Sequence, residues 1–453
     1  MQTQNPAPAS GQALGQPPGE PWPRPGVAWY AVVILVVAFI FSFIDRIIIA
    51  MLVEPLKQDL GLTDTQLGLL QGLAFAVFYA TVGLPIGRWA DRYSRRAIIG
   101  WGIFFWSIMT AVCGLARNFW ELFLARVGVG VGEAALSPAA YSMIADYFPR
   151  EKLGRALGVY QSGAFFGAGL SFLVGGLVIQ AVAKAGPISL PVLGDVKAWQ
   201  LVFFAVGLPG ILVALLMLTV REPVRRGRLA AGGIPLGEVL RYARQRWRVF
   251  VLHFIGFALL AVPITTIITW AFVYFTRVLA FTPPQAALRL GGLLVILSPL
   301  GVYTGGWLAD FLQRRGYRDA TLRVALFAAA GLLPLSAVPA FVTDRDLVIP
   351  LFGPLIFFAS LSMALAPAAL QVVTPNQMRG QVSAVWMLVL NLVTAGVGPS
   401  AVGAITDYVF GDPLAVGRSI ALVNCLSVPL AALILWAALA PFRQAASEQA
   451  GAG

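Results

Sequence analysis

Charged side chains are scarce in this chain of 453 residues. Asp, Glu, Lys and Arg together make up 11% of it, and 58% of the residues are hydrophobic. Soluble globular domains carry about 25% charged residues, and the mean hydropathy of this chain is +0.80. The composition therefore excludes an ordinary soluble domain and predicts a protein that crosses the membrane many times.

Cysteine and histidine are nearly absent. Cys113 and Cys425 lie in separate apolar runs, which indicates two free thiols that pack as small hydrophobes rather than a disulfide. The single histidine, His253, is interpreted as an interfacial packing residue. The sequence contains no phosphate-binding loop, metal-ligand cluster or nucleophile with its base. ATP-driven transport and hydrolysis therefore find no support, and neither a metal nor a cofactor is expected.

The first 26 residues contain seven prolines among Gly, Gln and Ala. This composition is typical of a disordered tail. Because the segment lacks the basic start and apolar core of a signal peptide, a cleaved leader is not expected.

Apolar segments of about 20 residues, long enough to cross the hydrocarbon core of a bilayer, recur along the rest of the chain. Twelve are predicted, near 28–54, 66–89, 96–115, 119–147, 153–183, 199–220, 249–279, 286–310, 321–341, 348–374, 379–408 and 417–440. They divide into an N-terminal bundle of six over 27–220 and a C-terminal bundle of six over 249–441, followed by a tail at 442–453. The predicted fold class is an all-α membrane protein with two six-helix bundles.

The segment 221–248 between the bundles is the longest polar stretch inside the chain and contains eight arginines. Leu236, Val239, Leu240 and Tyr242 are spaced among them as on one face of a helix. The pattern predicts either a basic amphipathic helix on the membrane surface or a solvated linker helix.

Basic residues are divided unevenly between the two sides of the membrane. The side that carries both termini holds 22 of the 32 Lys and Arg residues, the other side holds 8, and Arg46 and Arg126 fall inside the membrane. Because Lys and Arg concentrate in cytoplasmic loops, both termini are expected in the cytoplasm, which for a bacterial chain means the inner membrane. The net charge of +12 is thus a topology signal and does not indicate nucleic-acid binding.

Two short patterns recur in the two halves. The residues Gly-Arg-Trp-Ala-Asp at 87–91, after the second span, are echoed by Gly-Trp-Leu-Ala-Asp at 306–310, after the eighth, with an offset of 219. A proline followed five residues later by glycine recurs at 149–154 and 375–380 with an offset of 226. The similar offsets indicate duplicated, pseudo-symmetric halves, as in transporters that rock one half against the other around a central site.

Arg126 and Glu133 interrupt the apolar fourth span. Seven residues apart on a helix, they lie within about 20° of one face and about 10 Å apart along the axis. Gly130 lies between them, whereas Gly128 and Gly132 fall on the opposite face, where they allow a neighbouring helix to approach closely. Ionisable residues inside a membrane are costly and by default functional, so this pair is a candidate site.

The pattern Gly-x-x-x-Asp-Arg-x-x-Arg-Arg over 87–96 resembles the signature of the major facilitator superfamily, with Ser94 where that family usually has a glycine. The resemblance covers about 28–441 and implies alternating access by a non-enzymatic transporter. It also implies a latch that joins the two halves on the cytoplasmic side in the outward-facing state. The latch residues are Gly87, Asp91, Arg92, Arg95 and, in the repeat, Asp310.

A narrower resemblance, to the spinster branch, is carried by Asp45 and Arg46 in the first span and by Arg126, Glu133 and Pro138 in the fourth. Relatives in that branch export lysophospholipids and sphingosine 1-phosphate. The resemblance implies that Asp45 and Glu133 couple transport to protons. It implies further that Arg46 and Arg126 are their ion-pair partners or bind an anionic substrate. The run around Glu133 also resembles organic-anion symporters of the superfamily.

Depth along the helices places Asp45 between Arg126 and Glu133. Asp45 lies roughly 25 Å from the cytoplasmic end of the first span, and Arg126 and Glu133 lie about 31 and 21 Å from that end of the fourth. If the first and fourth spans are neighbours, as the family fold implies, Asp45 can pair with Arg126 in one state and release it in another. The alternative is a permanent structural ion pair, although buried pairs stabilise less than apolar packing.

Other polar residues in the spans are weaker candidates for lining a central cavity. They are Tyr79, Tyr160, Gln161, Thr266, Thr269, Ser362, Trp386 and Asn391. About half of this set is expected to be structural, because hydroxyl groups in membrane helices often bond the backbone or a neighbouring helix. The second half has no charge at the depth of Arg126, which predicts an apolar wall suited to an acyl chain.

Together these features predict a monomeric, proton-coupled secondary transporter of an amphipathic anionic lipid, such as a lysophospholipid or a sphingoid phosphate. The first alternative is a transporter of a small organic anion or drug-like solute. The second is a receptor that binds without transport, or a passive lipid conduit.

Overall fold

The computed structural model describes residues 22–185, 188–190, 194–225, 236–375 and 378–451. Within these residues, twelve helical segments are long and apolar enough to cross a membrane. The predicted number of spans and the all-α membrane fold are thereby confirmed. Most of the proline-rich N-terminal segment lies outside the described residues. The first helix starts at Pro25, where the fixed backbone angle of proline and its missing N–H are well tolerated.

The first half contains spans 1 to 6. These are Pro25–Met51, Asp64–Gly87, Arg95–Cys113, Phe119–Tyr147, Lys152–Ala185 and Ala198–Met217. Three of the spans are built from two helices each, which are Asp64–Gln71 with Leu73–Arg92, Phe119–Glu133 with Leu136–Tyr147, and Ala198–Gly207 with Pro209–Met217. The helix of span 5 starts at Arg150. A short helix, Val53–Leu60, precedes span 2, and an antiparallel hairpin of Ile188–Leu190 and Gly194–Val196 precedes span 6. This hairpin was not predicted from the sequence.

The second half contains spans 7 to 12. These are Trp247–Val278, Pro283–Arg314, Ala320–Phe341, Arg345–Val373, Arg379–Phe410 and Pro413–Gln449. Their α-helices are Trp247–Leu260, Val262–Val273, Pro283–Arg314, Ala320–Leu335, Val338–Phe341, Arg345–Leu361, Leu365–Val373, Arg379–Asn391, Gly398–Ala404 and Val416–Gly451. π-Helical turns occur at Tyr274–Val278, Leu392–Val397 and Ile405–Phe410, and a 3₁₀ turn at Pro413–Ala415.

The last helix is longer than predicted. It continues to Gly451 instead of ending near residue 440, and Phe442 and Ala445 on this extension are buried. The described part of the segment predicted as a tail is therefore helical and packed, because its apolar residues continue the helical spacing of span 12.

The linker contains the predicted helix, Leu236–Gln245, whereas residues 226–235 lie outside the described residues. Val239 is 4% exposed, and the Tyr242 hydroxyl donates to the carbonyl oxygen of Val373 at 2.8 Å. At the end of the linker, Arg246 pairs with Glu448 at 2.8 Å. The linker helix thus packs with its apolar face on the second half.

An even number of spans brings both chain ends to one side, which we term the terminal face; the other side is the opposite face. Toward the opposite face the halves are in close contact. A Cβ atom placed on Gly72 of span 2 would lie 2.0 Å from the carbonyl oxygen of Ala395 in span 11, and one on Gly176 of span 5 would lie 2.5 Å from the Cβ of Ala287 in span 8. Only glycine permits this approach at these positions.

Toward the terminal face, the described glycines of the same helices show no such contact. A Cβ atom on Gly83 of span 2 or on Gly154 of span 5 would meet no atom within 4 Å, and the same holds for Gly306 of span 8 and Gly380 of span 11. In the part of the chain that the structure describes, the two halves are therefore packed together at the opposite face and are apart at these positions of the terminal face.

Candidate functional site

Span 4 is interrupted directly after Glu133. The helix Phe119–Glu133 ends there, and a new helix begins at Leu136. Pro138 has no backbone N–H, so the carbonyl oxygen of Ala134 loses the donor that a continuous helix would supply. The sequence thus ends a helix at the position of the glutamate and places its side chain at a break in the span.

The glycines of span 4 are packed on two sides. A Cβ atom on Gly132 would lie 2.8 Å from the backbone nitrogen of Trp106, and one on Gly128 would lie 2.7 Å from the Met109 side chain, both in span 3. This confirms the predicted close approach at these two glycines. Gly130, on the face of the charged residues, would bring a Cβ atom to 2.9 Å from the carbonyl oxygen of Phe75. That face is therefore packed against span 2 as well.

Glu133 is held by two donors from span 1. Its Oε2 atom accepts hydrogen bonds from Arg46 Nη2 and Ser42 Oγ, each at 2.6 Å, and its side chain is fully buried. Its Oε1 atom has no hydrogen-bond partner. Arg46 is the more accessible member of this ion pair, with 27% of its side chain exposed.

Aromatic rings surround the guanidinium group of Arg46. Its central carbon lies 4.1 Å from the ring centre of Phe75, 5.2 Å from that of Phe43 and 5.5 Å from that of Tyr79. Cation–π contacts of this kind contribute about 0.5–2 kcal/mol each, depending on solvation. Arg46 is thus a partly exposed cation with one carboxylate partner and an aromatic surround.

Arg126 binds the backbone of span 1. Its Nη1 atom donates to the carbonyl oxygen of Asp45 at 2.9 Å, and Nη2 donates to that of Arg46 at 3.2 Å. Its side chain is fully buried and Nε has no acceptor. The expected neighbourhood of spans 1 and 4 is present, but in this conformation the guanidinium group pairs with carbonyl oxygens instead of the Asp45 carboxylate. Pairing with that carboxylate in another state stays a prediction.

Asp45 is fully buried, and neither of its carboxyl oxygens has a hydrogen-bond partner. The carboxyl group lies within electrostatic range of Glu133 and Arg126 and beside the indole of Trp106. The four ionisable residues singled out in spans 1 and 4 therefore form one cluster. In this cluster one carboxylate is paired and the other is not.

The predicted cavity residues divide by exposure. Tyr79, Gln161 and Asn391 are partly exposed. The other five, Tyr160, Thr266, Thr269, Ser362 and Trp386, are buried in this conformation, and their place in a central cavity stays a prediction.

Local packing explains these burials. Tyr160 stacks on Phe39 with ring centres 4.9 Å apart, and Thr266 donates to Asn424 at 3.0 Å. Thr269 bonds the carbonyl oxygen of Thr265 one turn earlier in its own helix. These polar groups are satisfied or covered inside one half, as is common for hydroxyl groups in membrane helices.

The predicted latch residues lie at the terminal face. Gly87 is at the end of span 2, and Arg92 and Asp310 are exposed. The side chain of Asp91 lies outside the described residues. The role of these residues in joining the halves stays a prediction, because the halves are apart at this face.

Arg95 is buried and bonded within the first half. It pairs with Asp146, donates to Glu222 at 2.8 Å and bonds the carbonyl oxygen of Pro223 at 3.0 Å. Ser94, which replaces the usual glycine, has a φ angle of −58°, where no glycine is required. Its hydroxyl group donates to Glu222 at 2.9 Å. The motif therefore ties span 3 to the end of span 4 and to the segment after span 6.

A second charged group, which sequence reasoning missed, joins the halves at the opposite face. Arg277 of the second half bonds Glu54 at 2.6 Å and Asp64 at 2.8 and 3.1 Å, and Lys57 bonds Asp64 at 2.9 Å. We term these four residues the opposite-face cluster. From the sequence, Lys57 and Arg277 were counted only as positive charges on one side of the membrane. The sequence feature that could have indicated this contact was the presence of charged residues at the ends of two spans.

The start of span 2 is also capped by the other half. Thr63 accepts the N–H of Gln66 at 3.1 Å, as a local N-cap does. In addition, Asp407 of span 11 accepts the N–H of Thr65 at 2.6 Å and that of Asp64 at 3.3 Å. The first backbone donors of a helix have no partner within it, so Asp407 satisfies groups that would otherwise need water.

Comparisons with known proteins agree with this architecture. A family model described as Major Facilitator Superfamily matches residues 34–399. An MFS-type efflux pump of Mycolicibacterium smegmatis is 29% identical over 435 residues, which cover 94% of this chain and 96% of that protein. A D-galactonate transporter of Escherichia coli O6:H1 is 26% identical over 428 residues, covering 89% of this chain and 95% of that protein.

A solved structure is similar over nearly the whole chain. It is the crystal structure of a bacterial homolog to the human lysosomal transporter spinster, in an inward-facing and unoccupied conformation. The TM-score is 0.77 at 26% identity, and the match covers 94% of this chain and 98% of that one. This chain therefore belongs to the Major Facilitator Superfamily, and it is a membrane transporter that resembles the spinster proteins in sequence and fold.

Proposed function

We propose that this transporter couples alternating access to protons and moves an amphipathic anionic lipid. The observation that carries proton coupling is the unequal partnering of two carboxyl groups. Glu133 is held by Arg46 and Ser42, whereas Asp45 is buried without a hydrogen-bond partner. An unpartnered ionised group in a buried site is costly, while a protonated carboxyl is neutral. Asp45 is thus suited to carry a proton in this conformation.

Proton binding and substrate binding are coupled because Arg46 can exchange the Glu133 carboxylate for an anionic group of the substrate. When Glu133 takes up a proton, its attraction for Arg46 is lost and the guanidinium group is left with one uncompensated charge. Because Arg46 is 27% exposed, an anionic group of the substrate can take the place of the carboxylate. Binding of one proton therefore favours binding of one anion, and release of either favours release of the other.

The surroundings of Arg46 favour an amphipathic anion. Phe43, Phe75 and Tyr79 present rings around the cation, so an anionic headgroup bound there lies next to apolar surface. In spans 7 to 12 the charged residues lie toward the span ends, which leaves the middle of the second half without charged side chains. A charged headgroup at Arg46 with an acyl chain along the second half fits this division.

The basic residues support an orientation with the terminal face in the cytoplasm, because that side holds 22 of the 32 Lys and Arg residues. The conformation, with halves separated at the terminal face, is then inward-open. In a bacterial cell the chain occupies the inner membrane. We propose that it acts as a monomer, since the cluster around Asp45 is built from one half of one chain.

A small organic anion or drug-like solute is the alternative substrate class. It is favoured by the similarity to a D-galactonate transporter and to an efflux pump. Both classes use an anion site at Arg46, and they differ in the need for an apolar chain. A non-transporting receptor or passive conduit is the second alternative, and it requires no dependence of flux on the carboxylates.

The test is flux in proteoliposomes with an imposed pH gradient, using a lysophospholipid, sphingosine 1-phosphate and D-galactonate as probes. Asp45→Asn and Glu133→Gln keep side-chain size and remove the titrating group. We expect each to abolish gradient-driven flux of the transported probe while counterflow without a gradient persists in at least one of them. Gradient-driven flux at the wild-type rate in both variants would contradict proton coupling at this cluster.

A matched control tests whether removing a carboxyl group outside the cluster also reduces flux. Asp195 is an exposed residue of the hairpin between spans 5 and 6, so Asp195→Asn should retain full gradient-driven flux. If the substrate is a lipid, flux of the lysophospholipid or of sphingosine 1-phosphate must be observed. Flux of D-galactonate alone would instead establish the alternative substrate class, and binding of any probe without flux would establish the receptor.

A further inference from the structure

We propose that Trp106 is a positioning residue for proton exchange at Asp45, acting through its indole N–H group. This inference rests on the proposed proton coupling at Asp45. Trp106 is fully buried, and its Nε1 atom has no acceptor. The indole lies next to the carboxyl group of Asp45, and neither oxygen of that group has a partner that meets hydrogen-bond geometry. A donor and an acceptor thus lie side by side in a buried site without completing a hydrogen bond of normal geometry.

The unpaired indole contrasts with those of two other buried tryptophans. Trp199 Nε1 donates to the Asp59 carboxylate at 2.6 Å, and Trp270 Nε1 donates to the carbonyl oxygen of Pro399 at 3.0 Å. Both are 3% exposed or less. Because buried indole N–H groups usually find a partner, a tryptophan left unpaired beside an unpaired carboxyl group requires an explanation. A bond that forms in one state of the transport cycle supplies it.

Close packing fixes Trp106 relative to span 4. A Cβ atom on Gly132 would lie 2.8 Å from both the backbone nitrogen and the Cβ atom of Trp106, and one on Gly102, one turn earlier in span 3, would lie 2.7 Å from Ala135. Spans 3 and 4 are thus closely packed at these positions. Asp45 belongs to span 1, so a displacement of span 1 against this pair changes the position of the carboxyl group relative to the indole N–H.

The other groups around Asp45 do not donate a hydrogen bond to its carboxyl group, so the indole of Trp106 is the donor for this role. Arg126 donates its Nη atoms to backbone carbonyl oxygens, and Arg46 on the same span is engaged with Glu133. Glu133 and the thiol of Cys113 also lie near the Asp45 carboxyl group, and neither donates a hydrogen bond to it. The indole N–H is therefore a fixed, uncharged donor that stabilises the carboxylate more than the protonated carboxyl group. Completing the bond favours release of the proton, and opening it favours uptake.

The experiment is an infrared pH titration of the full-length protein in liposomes, which needs no substrate. The protonated carboxyl of Asp45 is identified as the absorption that disappears in Asp45→Asn. Two changes remove the indole donor: Trp106→Phe, and replacement of Trp106 by β-(3-benzothienyl)alanine, which has sulfur in place of the N–H and nearly the same shape. We expect both to raise the titration midpoint of this absorption by about one pH unit, the equivalent of one charge-assisted hydrogen bond.

The matched control is Trp199→Phe, which removes another tryptophan–aspartate hydrogen bond in the same half and should leave the midpoint unchanged. An unchanged midpoint in both Trp106 variants overturns the role of Trp106 and leaves proton coupling at Asp45 intact. A shift with phenylalanine alone assigns the effect to packing and also overturns the proposal. If no absorption disappears in Asp45→Asn, both this inference and the proposed titration of Asp45 fail.

Discussion

Arg277, at the end of span 7, donates hydrogen bonds to both carboxylate oxygens of Asp64, at the start of span 2, over 2.8 and 3.1 Å. The two residues belong to different halves of the transporter. The Asp64 side chain is fully buried and that of Arg277 is 7% exposed, so water screens their attraction only weakly. The contact holds the halves together at the opposite face, while the terminal face is open.

Arg277→Ala should destabilise the closed opposite face. Removing one partner of a buried pair costs about 3 kcal/mol, and the remaining Lys57–Asp64 contact at 2.9 Å reduces this to about 2 kcal/mol. Since about 1.4 kcal/mol is a tenfold change in an equilibrium, we expect more than a tenfold shift toward states open at the opposite face. Spin-label distance distributions across both faces measure this shift.

The control for this prediction is Arg289→Ala. Arg289 is also an arginine near the opposite face, but its guanidinium carbon lies 4.3 Å from the ring centre of Phe281 within the second half. Its removal should leave the distances between the halves unchanged. Equal distance distributions for Arg277→Ala and the wild type would show that the pair does not hold the gate.

Asp407→Ala should act in the same direction with a smaller effect. The variant removes the acceptor for the N–H groups of Thr65 and Asp64 at the start of span 2. Loss of a helix cap costs about 1 kcal/mol, which corresponds to roughly a fivefold shift in population. The same distance measurement applies.

Asp412→Ala is the matched control for Asp407→Ala. Asp412 caps a turn within the second half by accepting the N–H of Leu414 at 2.9 Å. Its loss should reduce local stability without moving the halves. If both variants shift the distances equally, capping between the halves is not the cause.

Arg126 was identified as a candidate site residue from the sequence, whereas the role of Arg277 was not, and this difference shows what the sequence can predict. Apolar length predicted the twelve spans, and residue counts along spans 1 and 4 predicted that Asp45, Arg126 and Glu133 lie at similar depth. Depth does not give the direction in which a side chain leaves its helix. Arg126 consequently bonds backbone carbonyl oxygens, and Glu133 pairs with Arg46, the residue next to Asp45.

Contacts between the halves were beyond the reach of the sequence for a related reason. Asp64 and Arg277 are 213 positions apart, and their meeting depends on how the two bundles dock. Tyr160 and Trp386 illustrate the same limit, because a polar group at mid-depth can point into its own bundle as readily as into the space between bundles. Docking and helix rotation are tertiary properties that apolar periodicity does not specify.

Asp91→Asn should favour the conformation observed here, with the terminal face open. The resemblance assigns Asp91 to a latch that forms only when that face closes, so its loss destabilises the other state alone. Distances between labels on the two halves at the terminal face should increase on average. Glu238→Gln, at an exposed acidic residue of the linker helix, should leave them unchanged, and an unchanged distribution in Asp91→Asn would remove the latch role.

Glu222 anchors the segment after span 6 to the start of span 3. It accepts the backbone N–H of Arg96 at 2.8 Å, Arg95 Nε at 2.8 Å and the Ser94 hydroxyl at 2.9 Å. Burial opposes ionisation of this carboxyl group, but together the hydrogen bonds and the charge of Arg95 outweigh it and lower the pKa of Glu222. The ionised form therefore contributes to the stability of the first half.

Glu222→Gln should consequently be more harmful at neutral than at acidic pH. A lowered folded-state pKa contributes stability above the unfolded value of about 4.3, and that contribution is lost as the pH falls through the lower, folded value. We expect the variant to lose about 1–2 kcal/mol of unfolding free energy at pH 7, as for charge-assisted hydrogen bonds, and the deficit to shrink below about pH 4. Thermal unfolding in detergent across this range measures it, with Glu238→Gln as the exposed control. A deficit that stays constant or grows on acidification would mean that packing of the side chain, and not its charge, holds the segment.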